Sequence, residues 1–213
     1  MQGIDKIINS NYWITIILIA LLGCIVFLKL LNAQKLTERF FTLFNFTFLE
    51  QDSEGSNVLI NLFEAVMFLF SSSSFALLLF YFQQYIQTNN KITFATFLST
   101  YSFVFSYILA KRVLEFALVR LFLLKNQLRT FLNTKAHYLH SISFIVFILI
   151  IFHEFTEIHR LVLFYFSIFL FAIRFLLFVL RNKKLIFNKL FYFILYICAF
   201  EIAPLFILLN LMF

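Results

Sequence analysis

Long apolar runs, each about as long as a membrane-spanning helix, alternate with polar connections along the whole chain. A hydrocarbon core about 30 Å thick needs about 20 consecutive apolar residues of helix. Six runs meet this need, and they stay apolar throughout instead of alternating as barrel strands do. Because a bilayer offers the backbone no hydrogen-bond partners, the runs predict helices. The predicted transmembrane helices are 13–31, 58–82, 92–110, 138–155, 161–180 and 190–213.

The connections between these runs differ sharply in their content of Lys and Arg. Thirteen basic residues fall on one side of the predicted membrane and three on the other, whereas Arg174 lies within the fifth run. Cytoplasmic connections carry the excess of Lys and Arg. The pattern therefore predicts that both termini face away from the cytoplasm. The three residues on the outer side are Lys6, Lys91 and Arg160.

Two cytoplasmic connections carry predicted structure of their own. Residues 33–49 place apolar side chains on one helical face, which predicts an amphipathic segment in the plane of the membrane surface after helix 1. The apolar run 113–124 is too short to cross, so we interpret it as a cytoplasmic extension of helix 3 or an interfacial piece. The predicted fold is an all-α, polytopic membrane helix bundle, with residues 1–213 forming a single transmembrane domain.

Composition supports a membrane protein and excludes several other classes. Of the 213 residues, 63% are apolar, 35 are Phe and only 13% are charged. Soluble domains carry about 25% charged and 45–50% apolar residues. Two cysteines are too few for a disulfide scaffold. The net charge of +7 is explained by the orientation of the helices, so we expect membrane lipids and other membrane-protein subunits as partners, and no nucleic acid.

Several ionisable side chains lie inside or at the ends of the predicted helices. A charge at the centre of a membrane helix costs about 2.5–3.5 kcal/mol on insertion scales, so such residues suggest a function. They also suggest ion pairs that fix helix register, or an arginine that reaches to the headgroups. Both interpretations stay open for a polar network made of Glu64, Arg112, Glu115, Arg174 and Glu201.

Proline and serine mark further positions in the helices. Pro204 is the only proline and predicts a kink one turn after Glu201. Four serines follow one another in the middle of helix 2, and helix 3 carries serines at helical spacing. Small residues let helices approach closely. We therefore expect a tight contact between helices 2 and 3; a hydrophilic path with Glu64 as its acid is the alternative. The packing serines are Ser71, Ser72, Ser102 and Ser106.

A stretch of histidines and carboxylates lies at the outer rim of helix 4. His153, Glu154 and Glu157 follow one another at a spacing near that of a metalloprotease helix, but the second histidine of that motif is replaced by Glu157. We therefore predict no metal site here. Phosphate-binding loops and nucleophile elbows do not occur in the sequence, so we predict no cofactor and no catalytic residue.

The closing segment 196–205, Tyr-Ile-Cys-Ala-Phe-Glu-Ile-Ala-Pro-Leu, resembles the closing signature of an integral inner-membrane family of the Bacteroidetes. The family is domain of unknown function 4271, and segments 11–15, 29–32 and 112–115 are similar to it in style. The resemblance covers essentially the whole chain. It implies a bacterial inner membrane with periplasmic termini and marks Arg112, Glu115, Glu201 and Pro204 as residues to test. It implies no activity, because the family is uncharacterised.

Three functions remain open after this reading. The first is a non-catalytic integral membrane subunit of a larger bacterial cell-envelope complex. The second is a transporter of protons, ions or solutes that uses Glu64, Arg174 and Glu201. The third is a membrane enzyme acting on a lipid or peptide near His153, Glu154 and Glu157. An organelle-encoded respiratory subunit in the mitochondrial inner membrane is the alternative origin.

Overall fold

The computed structural model describes residues 12–41, 62–86, 93–121, 125–156 and 160–181. In these ranges the regular structure is entirely helical, which confirms the predicted all-α class. The sixth predicted helix, 190–213, lies outside the described residues together with Glu201 and Pro204. The helices are α1 (Tyr12–Phe41), α2 (Leu62–Ile86), α3 (Phe94–Leu121), α4 (Lys125–Thr156) and α5 (Arg160–Arg181).

Three of the described helices are long and apolar enough to cross a membrane, where the sequence predicted five in the same ranges. These stretches are Tyr12–Phe40, Leu62–Ile86 and Ala136–Thr156. In α3 the apolar stretch is interrupted by Lys111 and Arg112 within the helix. In α5 the described side chains form the apolar helical stretch Leu161–Leu176. The chain is thus a membrane protein with three supported spans.

Two helices extend well beyond their apolar runs. The third continues unbroken past Arg112 to Leu121, and α4 begins at Lys125, about three and a half turns before its predicted start. Hydropathy finds only the part of a helix that suits the bilayer. Residues such as Lys, Gln, Leu and Arg are good helix formers, so the polar segments continue the helices.

The first helix breaks at Asn32 and resumes in a new direction. Asn32 has non-helical backbone angles (φ −163°, ψ 94°) inside α1. Its side-chain oxygen accepts a hydrogen bond of 2.9 Å from the backbone N–H of Lys35, as an N-cap residue does for the third residue of a helix. Leu36 and Phe40 of the resumed helix pack against the core. The break separates the apolar run from the predicted amphipathic segment.

The second helix is the centre of the bundle. It packs against all four other described helices. Of the residues in its apolar stretch 61% are buried, against 22% in α1, so α1 lies at the periphery. Phe70 of α2 contacts Phe144 and Phe147 of α4, whereas Phe75 contacts Phe171 of α5. Aromatic pairs of this kind add about 0.5–1.5 kcal/mol beyond the area that they bury.

Contacts at the two ends show that helices that follow one another in the chain run antiparallel. Trp13, near the start of α1, packs on Phe80 near the end of α2 and on Phe94 and Phe97 at the start of α3. We call this the tryptophan end. Arg39, near the end of α1, reaches the start of α2. We call this the arginine end.

Candidate functional site

An ion pair joins α1 to α2 at the arginine end. Arg39 Nη2 donates to Glu64 Oε1 at 2.7 Å. The Arg39 side chain is 10% exposed and that of Glu64 is 41% exposed, so the arginine is buried while its partner reaches the surface. The break at Asn32 turns the second part of α1 so that Arg39 faces the bundle. The pair therefore fixes how the two helices are placed at this end.

A chain of hydrogen bonds joins α2 to α4 about two turns deeper than Glu64. Ser71 Oγ lies 2.8 Å from Nδ1 of His140 and 3.0 Å from Oγ of Ser143. Ser143 Oγ donates to the backbone oxygen of His140 at 2.7 Å. All three residues are buried. Polar groups buried at this depth need partners, and here each hydroxyl finds one on a neighbouring residue.

The three serines after Ser71 bond differently. Ser72, Ser73 and Ser74 each donate to the carbonyl four residues earlier in α2. Such bonds satisfy the hydroxyl within its own helix. Ser71 instead directs its hydroxyl to α4. Of the four consecutive serines, Ser71 is the one that links two helices through its side chain.

Arg112 sets the direction of these hydrogen bonds. Its Nη2 lies 3.3 Å from Nε2 of His140. Because a guanidinium can only donate, Nε2 must accept, and the proton of the neutral ring is then on Nδ1. Ser143 Oγ donates to the His140 carbonyl, so with this tautomer we infer that Nδ1–H donates to Ser71 Oγ and that Ser71 donates to Ser143 Oγ.

Arg174 of α5 lies at the same level of the bundle. Phe171 contacts Phe75 of α2, and one turn further toward the arginine end lie Arg174 on α5 and Ser71 on α2. The charges of Arg39, Arg112 and Arg174 all act on His140. We call Arg39, Glu64, Ser71, Arg112 and His140 the arginine-end cluster; it draws on α1, α2, α3 and α4, and α5 adds the charge of Arg174.

A second polar group lies at the tryptophan end. Tyr81 of α2 donates to Glu154 Oε2 of α4 at 2.6 Å, and the Tyr81 ring packs edge-on against the His153 ring. Thr100 of α3 donates to the side-chain oxygen of Gln83 at 3.0 Å. These bonds join α2 to α3 and α4 at the end opposite the arginine-end cluster.

Residues 14–212 match a family model described as domain of unknown function (DUF4271). The chain belongs to the DUF4271 family. This confirms the family resemblance of the sequence. Comparison with curated proteins gave no match, and comparison with solved structures gave none either.

The structure of this DUF4271 member brings together part of the predicted polar network. Glu64, Arg112 and Arg174 all lie at the arginine end, but Glu64 pairs with Arg39, a residue that the sequence indicated only as an orientation signal. Arg112 contacts His140. Glu115 is half-buried on α3 one turn beyond Arg112. The remaining predicted members, Glu201 and Pro204, lie outside the described residues.

The packing serines of the DUF4271 chain divide into two groups. Ser71 and Ser72 are buried in α2. Ser102 and Ser106 are exposed on α3. The buried face of α3 is formed by apolar residues that include Phe97, Val104 and Ile108. Large apolar side chains at helical spacing take the packing face, and the serines are left on the opposite surface.

The sequence analysis did not assign a role to His140, although its position at the end of an apolar run could have indicated one. His140 is at the start of the apolar part of α4, and Arg112 is at the end of the apolar part of α3. Antiparallel neighbours bring two such positions to one level. Among the described residues, no group of three or more His, Cys, Asp or Glu side chains could hold a metal ion.

Proposed function

We propose that this protein is a non-catalytic integral membrane subunit of a larger cell-envelope complex in the bacterial inner membrane. The observation that carries the proposal is the direction of the hydrogen bonds around His140. Ser71 and His140 lie at the distance of a nucleophile and its base. A base must accept the serine proton, whereas here Nδ1 donates to Ser71 because Arg112 occupies Nε2. The contact therefore suits packing and not acyl transfer.

The apolar layer between the two polar groups favours a subunit over a transporter. From Phe75 to Phe80, α2 carries apolar side chains, of which Ala76 and Leu77 are fully buried. Phe147 and Ile150 of α4 are buried beside this stretch. Seven residues, or about 10 Å, separate Ser74 from Tyr81. Ser167 of α5 is buried at this level, but its hydroxyl donates to the Leu163 carbonyl of its own helix. A proton or ion crossing between the described helices would therefore meet few polar side chains in this layer.

The outer face of α1 offers a surface for a partner helix. Ile19, Val26 and Leu30 are exposed along this face. Gly23 lies between them, and a Cβ added there meets nothing within 4 Å. A glycine on an exposed helix face allows another helix to approach closely in a membrane. We propose that a subunit of the complex packs here.

We also propose the finer topology, six transmembrane helices with both termini outside the cytoplasm. The uneven distribution of Lys and Arg supports it. In this arrangement the arginine end is cytoplasmic and the tryptophan end is periplasmic. Trp and Tyr at membrane interfaces fit either side, so the basic residues decide the orientation.

The test compares Gly23→Leu with Ala172→Leu. Both replace a small residue on an exposed helix surface, and neither changes charge. The full-length protein, expressed at its native level, is extracted in mild detergent and its complex is sized by native mass spectrometry. We expect a complex of this chain with other proteins, lost in Gly23→Leu and kept in Ala172→Leu. A wild-type chain that runs alone or only with copies of itself would refute the proposal.

A further inference from the structure

Arg112 combines a buried contact with an exposed surface. One edge of its guanidinium reaches His140, while the residue as a whole is exposed on α3. Its neighbours Leu109 and Val113 are 44% and 57% exposed. A cation is thus surrounded on the outer surface of the bundle by apolar side chains. In a membrane protein, exposed apolar side chains of this kind face lipid chains.

The charge of Arg112 is not balanced by its contact. His140 accepts from it as a neutral ring and brings no negative charge. Of the nearby carboxylates, Glu64 is bonded to Arg39, and Glu115, one turn along α3, interacts with a residue other than Arg112. A guanidinium also has four further N–H donors beyond the one used here. The outer part of Arg112 can therefore bind an anion in a fork of two parallel hydrogen bonds.

The depth of the contact places this anion at the boundary between headgroups and acyl chains. His140 is two residues inside the predicted transmembrane run 138–155, about 3 Å along the helix. Leu109 lies one turn deeper than Arg112, because α3 runs from the tryptophan end to the arginine end. A ligand with a phosphate at Arg112 and a hydrocarbon chain against Leu109 would match both features.

We propose that Arg112 binds the phosphate of an anionic phospholipid whose acyl chain lies along Leu109. Free phosphate shares the charge of such a headgroup but gains nothing from the apolar neighbours. Basic sites between membrane helices on the cytoplasmic side bind lipid headgroups by this combination of charge and burial. The site rests on the proposed topology, in which α3 crosses the membrane, but not on whether other proteins pack on α1.

The test measures the thermal unfolding midpoint of the purified full-length protein in detergent, followed by the fluorescence of Trp13. Phosphatidylglycerol, phosphatidylcholine and inorganic phosphate are titrated separately. A ligand that binds the folded state raises the midpoint. We expect phosphatidylglycerol to raise it, with the other two having little effect. Arg112→Gln should weaken the apparent affinity for phosphatidylglycerol about fivefold, as expected for one arginine at a membrane surface.

Lys29→Gln is the matched control. Lys29 is also an exposed cation on a helix, and its neighbour Leu30 is exposed and apolar, but it has no histidine behind it. The control should keep the wild-type response. Equal losses in Lys29→Gln and Arg112→Gln would reduce the effect to general surface charge and overturn the site. An equal response to inorganic phosphate would overturn the assignment to a lipid.

A second variant tests the site if Arg112→Gln does not fold. Leu109→Glu keeps Arg112 and places a carboxylate three residues before it, close enough to pair on the helix surface. This carboxylate competes with the lipid phosphate for the guanidinium. We expect the response to phosphatidylglycerol to fall as in Arg112→Gln. An unchanged response in Leu109→Glu would contradict the proposal.

Discussion

Ser71 of α2 and His140 of α4 meet at 2.8 Å in the buried part of the bundle. Their bond joins two helices that are both long and apolar enough to span a membrane. Interhelical hydrogen bonds of this kind contribute about 0.6–2 kcal/mol in membrane proteins. The direction that we infer for this bond depends on Arg112, and the proposal of a non-catalytic protein rests on that direction.

Replacing Ser71 with Ala should therefore lower the free energy of unfolding by about 1–2 kcal/mol, because His140 loses its acceptor in a buried place. Ser73→Ala is the control, since Ser73 bonds within α2. It should change the free energy by less than about 0.5 kcal/mol. Unfolding followed by Trp13 fluorescence measures both. Equal effects in the two variants would show that the link to α4 adds nothing.

The tautomer of His140 can be observed directly. Nitrogen-15 spectra of the labelled protein should show a protonated Nδ1 and an unprotonated Nε2, and His140→Gln identifies the signals. In Arg112→Met the donor to Nε2 is gone, so we expect the ring to exchange between both tautomers. A protonated Nε2 in the wild type would reverse the hydrogen-bond direction and remove the main support for a non-catalytic protein.

Removing one partner of the pair between Arg39 and Glu64 should cost more than removing both. Glu64→Gln removes the negative charge that Arg39 contacts at 2.7 Å, which we expect to destabilise the protein by about 1–3 kcal/mol, since Glu64 is partly exposed. The double variant Arg39→Met with Glu64→Gln should recover part of this loss, because no uncompensated charge stays buried. Chemical denaturation of all four proteins completes the cycle. Strictly additive effects would mean that the two side chains are not coupled.

Replacing Asn32 with another capping residue should leave the stability of the protein nearly unchanged, whereas replacing it with an apolar residue should lower it. Asn32→Ala removes the acceptor for the Lys35 N–H and should cost about 1 kcal/mol, whereas Asn32→Asp keeps a side-chain oxygen and should cost little. The thermal midpoint checks both. If Asn32→Ala were neutral, another group would be satisfying this N–H and the break would not depend on the cap.

The sequence predicts the positions of the helices better than the contacts between their side chains. Apolar runs locate the described helices, and their order implies antiparallel neighbours. The runs say nothing of the helical segment before His137, because a polar helix outside the bilayer has no hydropathy signal. They also predict a span in α3, a continuous helix in which Lys111 and Arg112 follow the apolar stretch. A helix can therefore be longer than the part of it that lies in the membrane.

Side-chain partners depend on which face each helix turns inward. Spacing alone groups Ser102 with Ser106, but Phe97 and Val104 bury more apolar area and occupy the inner face of α3. The sequence grouped Glu64 in one polar network with Arg112, Glu115, Arg174 and Glu201. The choice of Arg39 depends on the break at Asn32, which rotates the end of α1. The cap at Asn32 thus influences the contact of Arg39 with Glu64, seven residues later in the chain.

The break at Asn32 also fixes how much of α1 can match the bilayer. From Tyr12 to Leu31 the uninterrupted helix is about 30 Å long, equal to the thickness of a typical hydrocarbon core. In a thicker bilayer the spanning segment cannot be extended by the helical turn after Asn32. That turn runs in a different direction and is held in place by the contact of Arg39 with Glu64. Hydrophobic mismatch must then be met by thinning of the lipid around α1, and in a thinner bilayer by tilting of the helix.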